Sequence, residues 1–169
     1  MATACHPSTT AALDLASEAE TQALGHALAG VLGVGDTVLL SGGLGAGKSA
    51  LARAVVRACL SAPEAEVPSP SYTLINVYET PSVQIWHGDL YRLTAPEEVG
   101  ELGLEDAFDH ALVLLEWPER LGEACPARHL QLGLTVTGEH TRRVEIAARG
   151  PGWQAVLAAL APWMEGKHP

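Results

Sequence analysis

The chain has 169 residues, of which 20 are acidic and 10 are lysine or arginine, so its formal net charge is -10 at pH 7. This length predicts one domain over residues 1–169, with residues 1–12 flexible, and the acidic balance argues against a surface that binds DNA or RNA unaided, because phosphate binding depends on Lys and Arg. The sequence shows neither a secretion signal nor an apolar stretch long enough to cross a bilayer, so we expect a cytoplasmic protein without a membrane partner.

The first half of the chain places helical and strand patterns around a glycine-rich turn. Residues 21–32 carry apolar side chains at helical spacing after an acidic entry, which predicts an amphipathic helix. Residues 37–40 form a short β-prone run that is typical of a buried parallel strand. Residues 49–60 are rich in Ala, Leu and Arg, and they predict a second helix directly after the turn.

The turn between that strand and that helix has the pattern of a phosphate-binding loop, G-x-x-x-x-G-K-[ST], over residues 42–49. Its glycines allow backbone N–H groups to converge on phosphate oxygens, Lys48 reaches the outer phosphates, and the Ser49 hydroxyl is a ligand for Mg²⁺. The helix that follows directs the positive end of its dipole at the phosphates. Lys48 is the only lysine before Lys167. The loop therefore predicts a nucleotide site that uses this lysine.

The second half of the chain adds further strands and helices. Prolines at positions 63, 68 and 70 make residues 62–70 a loop. We expect strands at residues 72–78, 83–87 and 112–115, a helix opening at residues 95–99, a hairpin of residues 130–137 and 143–148, and a final helix at residues 153–164. Together these elements predict an α/β fold of the P-loop NTPase type, a three-layer sandwich with a mixed, largely parallel central sheet and a C-terminal antiparallel hairpin.

Two acidic residues at the ends of predicted strands are candidates for holding Mg²⁺ beside the loop. Glu116 follows the apolar run at residues 112–115, and Asp89 follows the strand at residues 83–87. Because ligands in open α/β sheets bind outside the carboxyl ends of the strands, both acids are expected to face the loop. The sequence leaves open which of the two is the direct metal ligand. The seven histidines show no metal-ligand spacing and are interpreted as surface or packing residues.

Four short motifs follow one another along the chain. They are the loop at residues 42–49, Ser69-Pro70-Ser71-Tyr72-Thr73, Asp89-Leu90-Tyr91-Arg92 and Glu116-Trp117-Pro118. Their order and spacing resemble the TsaE (YjeE) family, the ATPase component of bacterial tRNA threonylcarbamoyladenosine synthesis. Gly43 stands where that family has Asp, and Ser49 and Ser71 stand where it has Thr. The hydroxyl groups are therefore kept, whereas a carboxylate of the loop is absent.

The resemblance implies a protein that binds and hydrolyses ATP with Mg²⁺. Lys48, Asp89 and Glu116 would be catalytic, and Ser49, Glu116 and Asp89 would hold the metal, with Asp89 alternatively orienting the attacking water. Residues 69–73 would form a switch loop that senses the γ-phosphate, and Thr21 and Arg143 are candidates for contacting adenine. The nucleotide-binding residues implied are Gly43, Leu44, Gly45, Ala46, Gly47, Lys48, Ser49, Ala50, Ser71, Thr73, Thr21 and Arg143.

The resemblance also implies partners. The subunit would serve the complex that forms N6-threonylcarbamoyladenosine in tRNA, and the other subunits would resemble TsaB and TsaD. Its ATP state would control its association with them, and tRNA would be reached only through the complex. Alone, the chain is expected to be a weak ATPase.

Other functions share a phosphate-binding loop. A small-molecule kinase is the main alternative, but it needs an acceptor pocket and usually an arginine-bearing lid, for which the predicted hairpin offers only Arg142, Arg143 and Arg149. A structural nucleotide-binding subunit without turnover is a further alternative. A GTP-dependent switch is excluded, because its N-K-x-D run needs a lysine and the only lysines are Lys48 and Lys167.

Overall fold

The computed structural model describes residues 11–168. The strands and helices of this range are β1 (Ala11–Leu15), α1 (Glu18–Ala29), β2 (Thr37–Ser41), α2 (Lys48–Cys59), β3 (Ile75–Glu79), β4 (Gln84–Asp89), α3 (Pro96–Gly100), α4 (Leu104–His110), β5 (Leu112–Glu116), β6 (His129–Val136), β7 (Arg142–Arg149) and α5 (Gln154–Met164). Two short 3-10 turns, Pro118–Arg120 and Gly122–Ala124, follow β5. Within this range no helix is both long enough and apolar enough to span a membrane.

The strands form one sheet in the order β1-β7-β6-β2-β5-β4-β3. β2 lies at its centre and pairs in parallel with β5 on one side and with β6 on the other, and β5 in turn pairs in parallel with β4. β7, β1 and β3 complete the sheet through antiparallel pairs. The sheet is therefore mixed, with a parallel centre and an antiparallel hairpin of β6 and β7, which confirms the predicted fold class.

The sheet separates two hydrophobic cores, so the molecule has three layers. Alternate side chains of β2 enter different cores: Val38 and Leu40 pack in the core that contains residues of α1, α2 and α5, whereas Leu39 packs in the core that contains residues of α3 and α4. β5 alternates in the same way through Leu114 and Leu115. Strands buried on both faces have continuous apolar sequences, which is why residues 37–40 were predicted as a buried parallel strand and residues 112–115 as a strand.

The parallel centre brings several loops to one edge of the sheet. In the register of the strands Leu40 lies opposite Glu116, and Glu116 lies opposite Asp89. The end of β2, from which the phosphate loop starts, is therefore next to the ends of β5 and β4. This is the arrangement expected when ligands bind at the carboxyl ends of parallel strands.

The N-terminal part of the fold corrects two predictions. α1 begins at Glu18 and ends at Ala29, earlier than the predicted residues 21–32, because Ser17 caps it: its Oγ accepts a hydrogen bond from the N–H of Glu20 at 3.3 Å. Residues 11 and 12, expected to be flexible, belong to β1 and pair with β7. A five-residue edge strand held by its partner leaves little local signal. Residues 1–10 lie outside the described range.

Two further boundaries differ from the predictions. β3 begins at Ile75 rather than at residue 72, because the preceding residues form a turn in which the N–H of Leu74 donates to the carbonyl of Pro70 at 2.8 Å. The helix predicted to open at residues 95–99 ends at Gly100, and α4 starts only after Gly103, whose φ is 75°. A glycine in this left-handed conformation separates two short helices where one was expected.

Candidate functional site

The phosphate loop connects the end of β2 to the start of α2. Gly42, Gly45 and Gly47 adopt positive φ angles of 139°, 73° and 106°, which are costly for residues that carry a Cβ. At Gly42 a Cβ would also overlap the carbonyl oxygen of Leu134 on β6. Gly47 is the N-cap residue of α2 and provides no side-chain cap. An anion in the loop would therefore lie at the positive end of the α2 dipole, beside the N-terminal N–H groups of the helix.

The ammonium group of Lys48 lies inside this loop. Its Nζ donates hydrogen bonds to the carbonyl oxygens of Gly42 at 2.8 Å and Gly43 at 2.7 Å, and it lies 4.2 Å from the centroid of the Trp117 ring. Burial lowers the pKa of Lys48, and nearby carboxylates, led by that of Glu116, partly oppose this shift. The hydrogen bonds go to neutral carbonyl groups, so the positive charge is placed to attract an anionic ligand.

Ser49 contacts the carboxylate that ends β5. Its Oγ donates to Oε2 of Glu116 at 2.8 Å. The other oxygen, Oε1, lies 2.9 Å from Nε2 of His87 on β4. Glu116 is 2% exposed and His87 is 1% exposed. A hydroxyl, a carboxylate and an imidazole thus form a hydrogen-bonded chain from the first turn of α2, through the end of β5, to β4.

Asp89 connects the end of β4 to the segment that follows the proline-rich loop. Its Oδ2 accepts a hydrogen bond from Oγ of Ser71 at 3.2 Å, and the Ser71 hydroxyl lies 2.9 Å from that of Ser69. Its Oδ1 accepts from the N–H of Tyr91 at 3.0 Å. The carboxylate is therefore held by the backbone just after its own strand and also by the candidate switch loop, so a movement of that loop would change the contacts of Asp89.

These groups surround a cavity of about 580 Å³. It is lined by α1, the phosphate loop, the candidate switch loop, two strand ends and the β6–β7 hairpin, through Glu18, Thr21, Leu44, Gly45, Ala46, Gly47, Lys48, Ser49, Ala50, Ser69, Ser71, Asp89, Glu116, Trp117, Glu139, His140 and Arg142. The structure thus brings all the predicted catalytic and metal-binding residues to one cavity, together with Thr21. Their chemical roles stay predictions.

Three of the residues predicted to bind nucleotide do not line this cavity. Gly43 takes part through its carbonyl, which accepts a hydrogen bond from Lys48. Thr73 is exposed and donates from Oγ1 to Asn76 Oδ1 at 2.7 Å. Arg143 pairs with Asp14 of β1 at 3.0 Å. The side chains of Thr73 and Arg143 are therefore engaged elsewhere than in the cavity.

Arg142, which the sequence reasoning passed over as a nucleotide-site residue, lines the cavity in place of its neighbour. Its Nε donates to the carbonyl of Ala46 at 3.1 Å, and its Nη2 lies 3.4 Å from the carbonyl of Gly45. A signal for this placement exists in the sequence. Arg142, Val144 and Ile146 are every second residue of β7, and side chains two apart on a strand share a face. Val144 and Ile146 are buried on the side of the sheet that α2 covers, so Arg142 is expected on that side as well.

His87 and Trp117 are two further side chains at the site that sequence reasoning did not assign to it. His87 stands two residues before Asp89 on β4, so strand alternation places both on one face, and this signal was available. Trp117 follows β5 with a φ of 60°. Its ring contacts the Lys48 ammonium, and the centroid of the Tyr91 ring is 4.8 Å from its own. That position depends on tertiary packing, and no local pattern indicates it.

The residues present fit a polyphosphate with a divalent cation. The loop and Lys48 supply N–H donors and a positive charge, and Ser49 and Glu116 supply oxygen atoms of the kind that Mg²⁺ prefers. Residues 11–168 contain no cluster of three His, Cys, Asp or Glu side chains placed to hold a metal by themselves. In nucleotide sites Mg²⁺ is commonly bound by one or two side chains together with phosphate oxygens, and the pair Ser49 and Glu116 matches that pattern.

Comparison with known proteins identifies the family. A family model described as threonylcarbamoyl adenosine biosynthesis protein TsaE matches residues 15–144. The tRNA threonylcarbamoyladenosine biosynthesis protein TsaE of Rickettsia bellii (strain RML369-C) is 36% identical over 132 residues, which are 78% of this chain and 91% of that protein. The protein of the same name from Mycobacterium leprae (strain TN) is 37% identical over 154 residues, which are 85% of this chain and 89% of that protein.

A solved structure agrees with these matches. The crystal structure of Bacillus subtilus YdiB superposes with a TM-score of 0.69 at 26% sequence identity, covering 82% of this chain and 85% of that one. The resemblance drawn from the four sequence motifs is thereby confirmed. With a family model that matches most of its length and relatives that are more than one third identical, the chain belongs to the TsaE family.

Proposed function

We propose that this chain is a Mg²⁺-dependent ATP-binding and ATP-hydrolysing subunit required for the complex that forms N6-threonylcarbamoyladenosine in tRNA. The observation that carries this proposal is the 2.8 Å hydrogen bond between Ser49 and Glu116. It places a hydroxyl and a carboxylate side by side at the first turn of a helix that follows a phosphate-binding loop. Family membership supports the biological process.

In this proposal the loop and Lys48 bind the phosphates of ATP. The N–H groups at the start of α2 would donate to phosphate oxygens, and the Lys48 ammonium would exchange its carbonyl acceptors for the outer phosphates. Such positioning and charge neutralisation supply most of the catalysis in phosphoryl transfer. The hairpin residue Arg142 would hold the loop in shape through its hydrogen bond to Ala46.

Glu116 and Asp89 would have different roles. Mg²⁺ bound beside Ser49 would offset the negative charge that develops on the phosphates. Glu116 is the acid in direct contact with Ser49, which supports assigning it to the metal. Asp89 is hydrogen-bonded to Ser71 instead, which supports a role in orienting the attacking water in response to the switch loop.

The candidate switch loop, residues 69–73, would connect ATP to the partner proteins. Its Ser71 is bonded to Asp89 inside the cavity, whereas its Tyr72 is 88% exposed. One short segment therefore has one side chain at the proposed nucleotide site and another at the surface, where a partner could contact it. Bound ATP would order this segment and thereby control docking to subunits that resemble TsaB and TsaD, and tRNA would be reached through that complex.

Phosphate release by purified protein tests the hydrolytic part of the proposal. Lys48→Ala, Glu116→Gln and Asp89→Asn are each expected to lower the rate by about a hundredfold, with and without the partner proteins. Matched controls change exposed residues of the same type: Lys167→Ala, Glu64→Gln and Asp109→Asn. If all six variants release phosphate at one rate, the activity belongs to a contaminant and the chain is not an ATPase.

Titration of the TsaB-like and TsaD-like partners tests the regulatory part. Their affinity is expected to differ between the ATP-bound, ADP-bound and nucleotide-free protein, and Lys48→Ala is expected to abolish this difference. If the partners bind with the same affinity in all three nucleotide states, control of their association by ATP is ruled out. The small-molecule kinase alternative is separated by following a labelled γ-phosphate, which must appear as free phosphate here and on a small acceptor if the chain is a kinase.

A further inference from the structure

His87 is a buried ionisable side chain to which the proposed reaction assigns no task. It lies on β4, is 1% exposed, and its Nε2 is 2.9 Å from Oε1 of Glu116. Its other ring nitrogen, Nδ1, is also buried and has no hydrogen-bond partner among the described residues. A buried polar group with one short contact and one unpartnered atom calls for an explanation.

The contact determines which nitrogen carries the proton. An ionised carboxylate only accepts hydrogen bonds, so Nε2 of His87 must be the donor to Glu116. In the neutral imidazole Nδ1 then carries only a lone pair. The unpartnered Nδ1 agrees with this tautomer, because a bare lone pair leaves no buried N–H without an acceptor.

We propose that His87 is a positioning residue that orients the carboxylate of Glu116 for the metal. Ser49 donates to Oε2 at 2.8 Å, and His87 donates to Oε1 at 2.9 Å. Two donors on the two oxygens fix the plane of the carboxylate, whereas one donor would allow it to rotate. This inference rests on the proposed function, in which Glu116 holds Mg²⁺, and it assigns His87 the task of a partner behind a metal ligand.

Two substitutions distinguish the effect of the His87 N–H donor from the effect of the size of its ring. His87→Leu removes the donor and is expected to raise the Mg²⁺ concentration that half-saturates nucleotide binding by about tenfold or more. Nucleotide binding without Mg²⁺, measured by calorimetry, is expected to stay the same. His87→Gln keeps an N–H donor and is expected to restore part of the Mg²⁺ response. Binding of Mn²⁺ in the presence of ADP, followed by electron paramagnetic resonance, gives the same comparison without turnover.

A second buried histidine provides the matched control. His129 lies at the start of β6, is 6% exposed, and its Nδ1 lies 2.7 Å from the carbonyl oxygen of Pro126. β6 runs parallel to β2, so the start of β6 lies at the edge of the sheet away from the phosphate loop, which follows the end of β2. His129→Leu is expected to lower the melting temperature without changing the Mg²⁺ response. If His87→Leu behaves like His129→Leu, the role of His87 is structural and the inference is wrong.

Nuclear magnetic resonance of the unmodified protein decides the question even if His87→Leu fails to fold. The ¹⁵N shifts of His87 are expected to show a protonated Nε2 and an unprotonated Nδ1, and Glu116→Ala is expected to release this single tautomer. An unprotonated Nε2 would overturn the inference, because His87 would then have no N–H group to donate to Glu116. Wild-type nucleotide binding that ignores Mg²⁺ would instead contradict the proposed function, so the two failures are distinguishable.

Discussion

Arg142 donates a hydrogen bond from Nε to the carbonyl oxygen of Ala46 at 3.1 Å and so connects the β6–β7 hairpin to the phosphate loop. Its Nη1 donates to the carbonyls of Thr141 at 2.9 Å and Gly138 at 3.3 Å, which secures the guanidinium at the hairpin. Ala46 of the glycine-rich loop is therefore held by a residue 96 positions later in the chain, on β7. This contact makes a sharp comparison possible between two neighbouring arginines.

Arg142→Ala is expected to weaken ATP binding, whereas Arg143→Ala is expected to leave it unchanged. A hydrogen bond from a charged group contributes about 1.5–3 kcal/mol, so loss of the loop contact predicts at least a tenfold higher dissociation constant by calorimetry. Arg143 forms an exposed ion pair with Asp14, and such pairs contribute little. Equal effects of the two substitutions would contradict the placement of the cavity beside Arg142.

Trp117 is expected to report nucleotide binding through its fluorescence. Its ring lies 4.2 Å from the Lys48 ammonium, and ATP would draw that charge toward phosphate. Trp153 and Trp163 belong to the core under α5, and Trp86 packs against the opposite core, so their emission should change little. Titration with ATP is expected to change the emission of the wild type. In Trp117→Phe the change should disappear while calorimetry still detects binding; a change that persists would mean that another tryptophan lies at the site.

Gly25 allows α1 and α2 to approach closely. A Cβ at this position would overlap the Ala54 Cβ and would lie 3.1 Å from the Ala54 carbonyl carbon. Gly25→Ala is therefore expected to lower the free energy of unfolding by about 1–3 kcal/mol in urea titrations. Gly30, where an added Cβ would lie no closer than 3.5 Å to its nearest neighbour, is the control, and Gly30→Ala should be close to neutral. A neutral Gly25→Ala would show that the helices separate without strain.

His129 predicts a loss of stability in mild acid. Burial lowers the pKa of His129 and the charge of Arg149 lowers it further, while the hydrogen bond to Pro126 partly opposes them. The unfolded chain, with a histidine pKa of about 6.5, therefore binds more protons than the folded chain below that pH. The free energy of unfolding should fall as the pH drops from 7.5 to 5.5, by at most about 1.4 kcal/mol per pH unit for this group. In urea titrations His129→Gln should lose less stability over the same range, and an identical loss would assign the effect to other groups.

The phosphate loop and the strand ends beside it were predictable because their signals are local. The glycines, Lys48 and Ser49 lie within one run of eight residues, and only a strand before it and a helix after it are needed to complete the pattern. Glu116 and Asp89 were located by the same means, since each ends an apolar or alternating run. The position of β1 was not predictable, because a short edge strand is held by its pairing with β7 rather than by its own sequence.

The sequence by itself determined that this protein carries the pattern of a phosphate-binding loop, an α/β fold and two acids at the ends of strands. Only the tertiary structure decided that Glu116 contacts Ser49 while Asp89 contacts Ser71, and that Arg142, rather than Arg143, reaches the loop. It also assigned His87 to the site, where sequence reasoning saw a packing residue. The physical reason is that a loop motif acts through neighbours along the chain, whereas these contacts depend on strand order and side-chain direction, which are set by the packing of residues far apart in sequence.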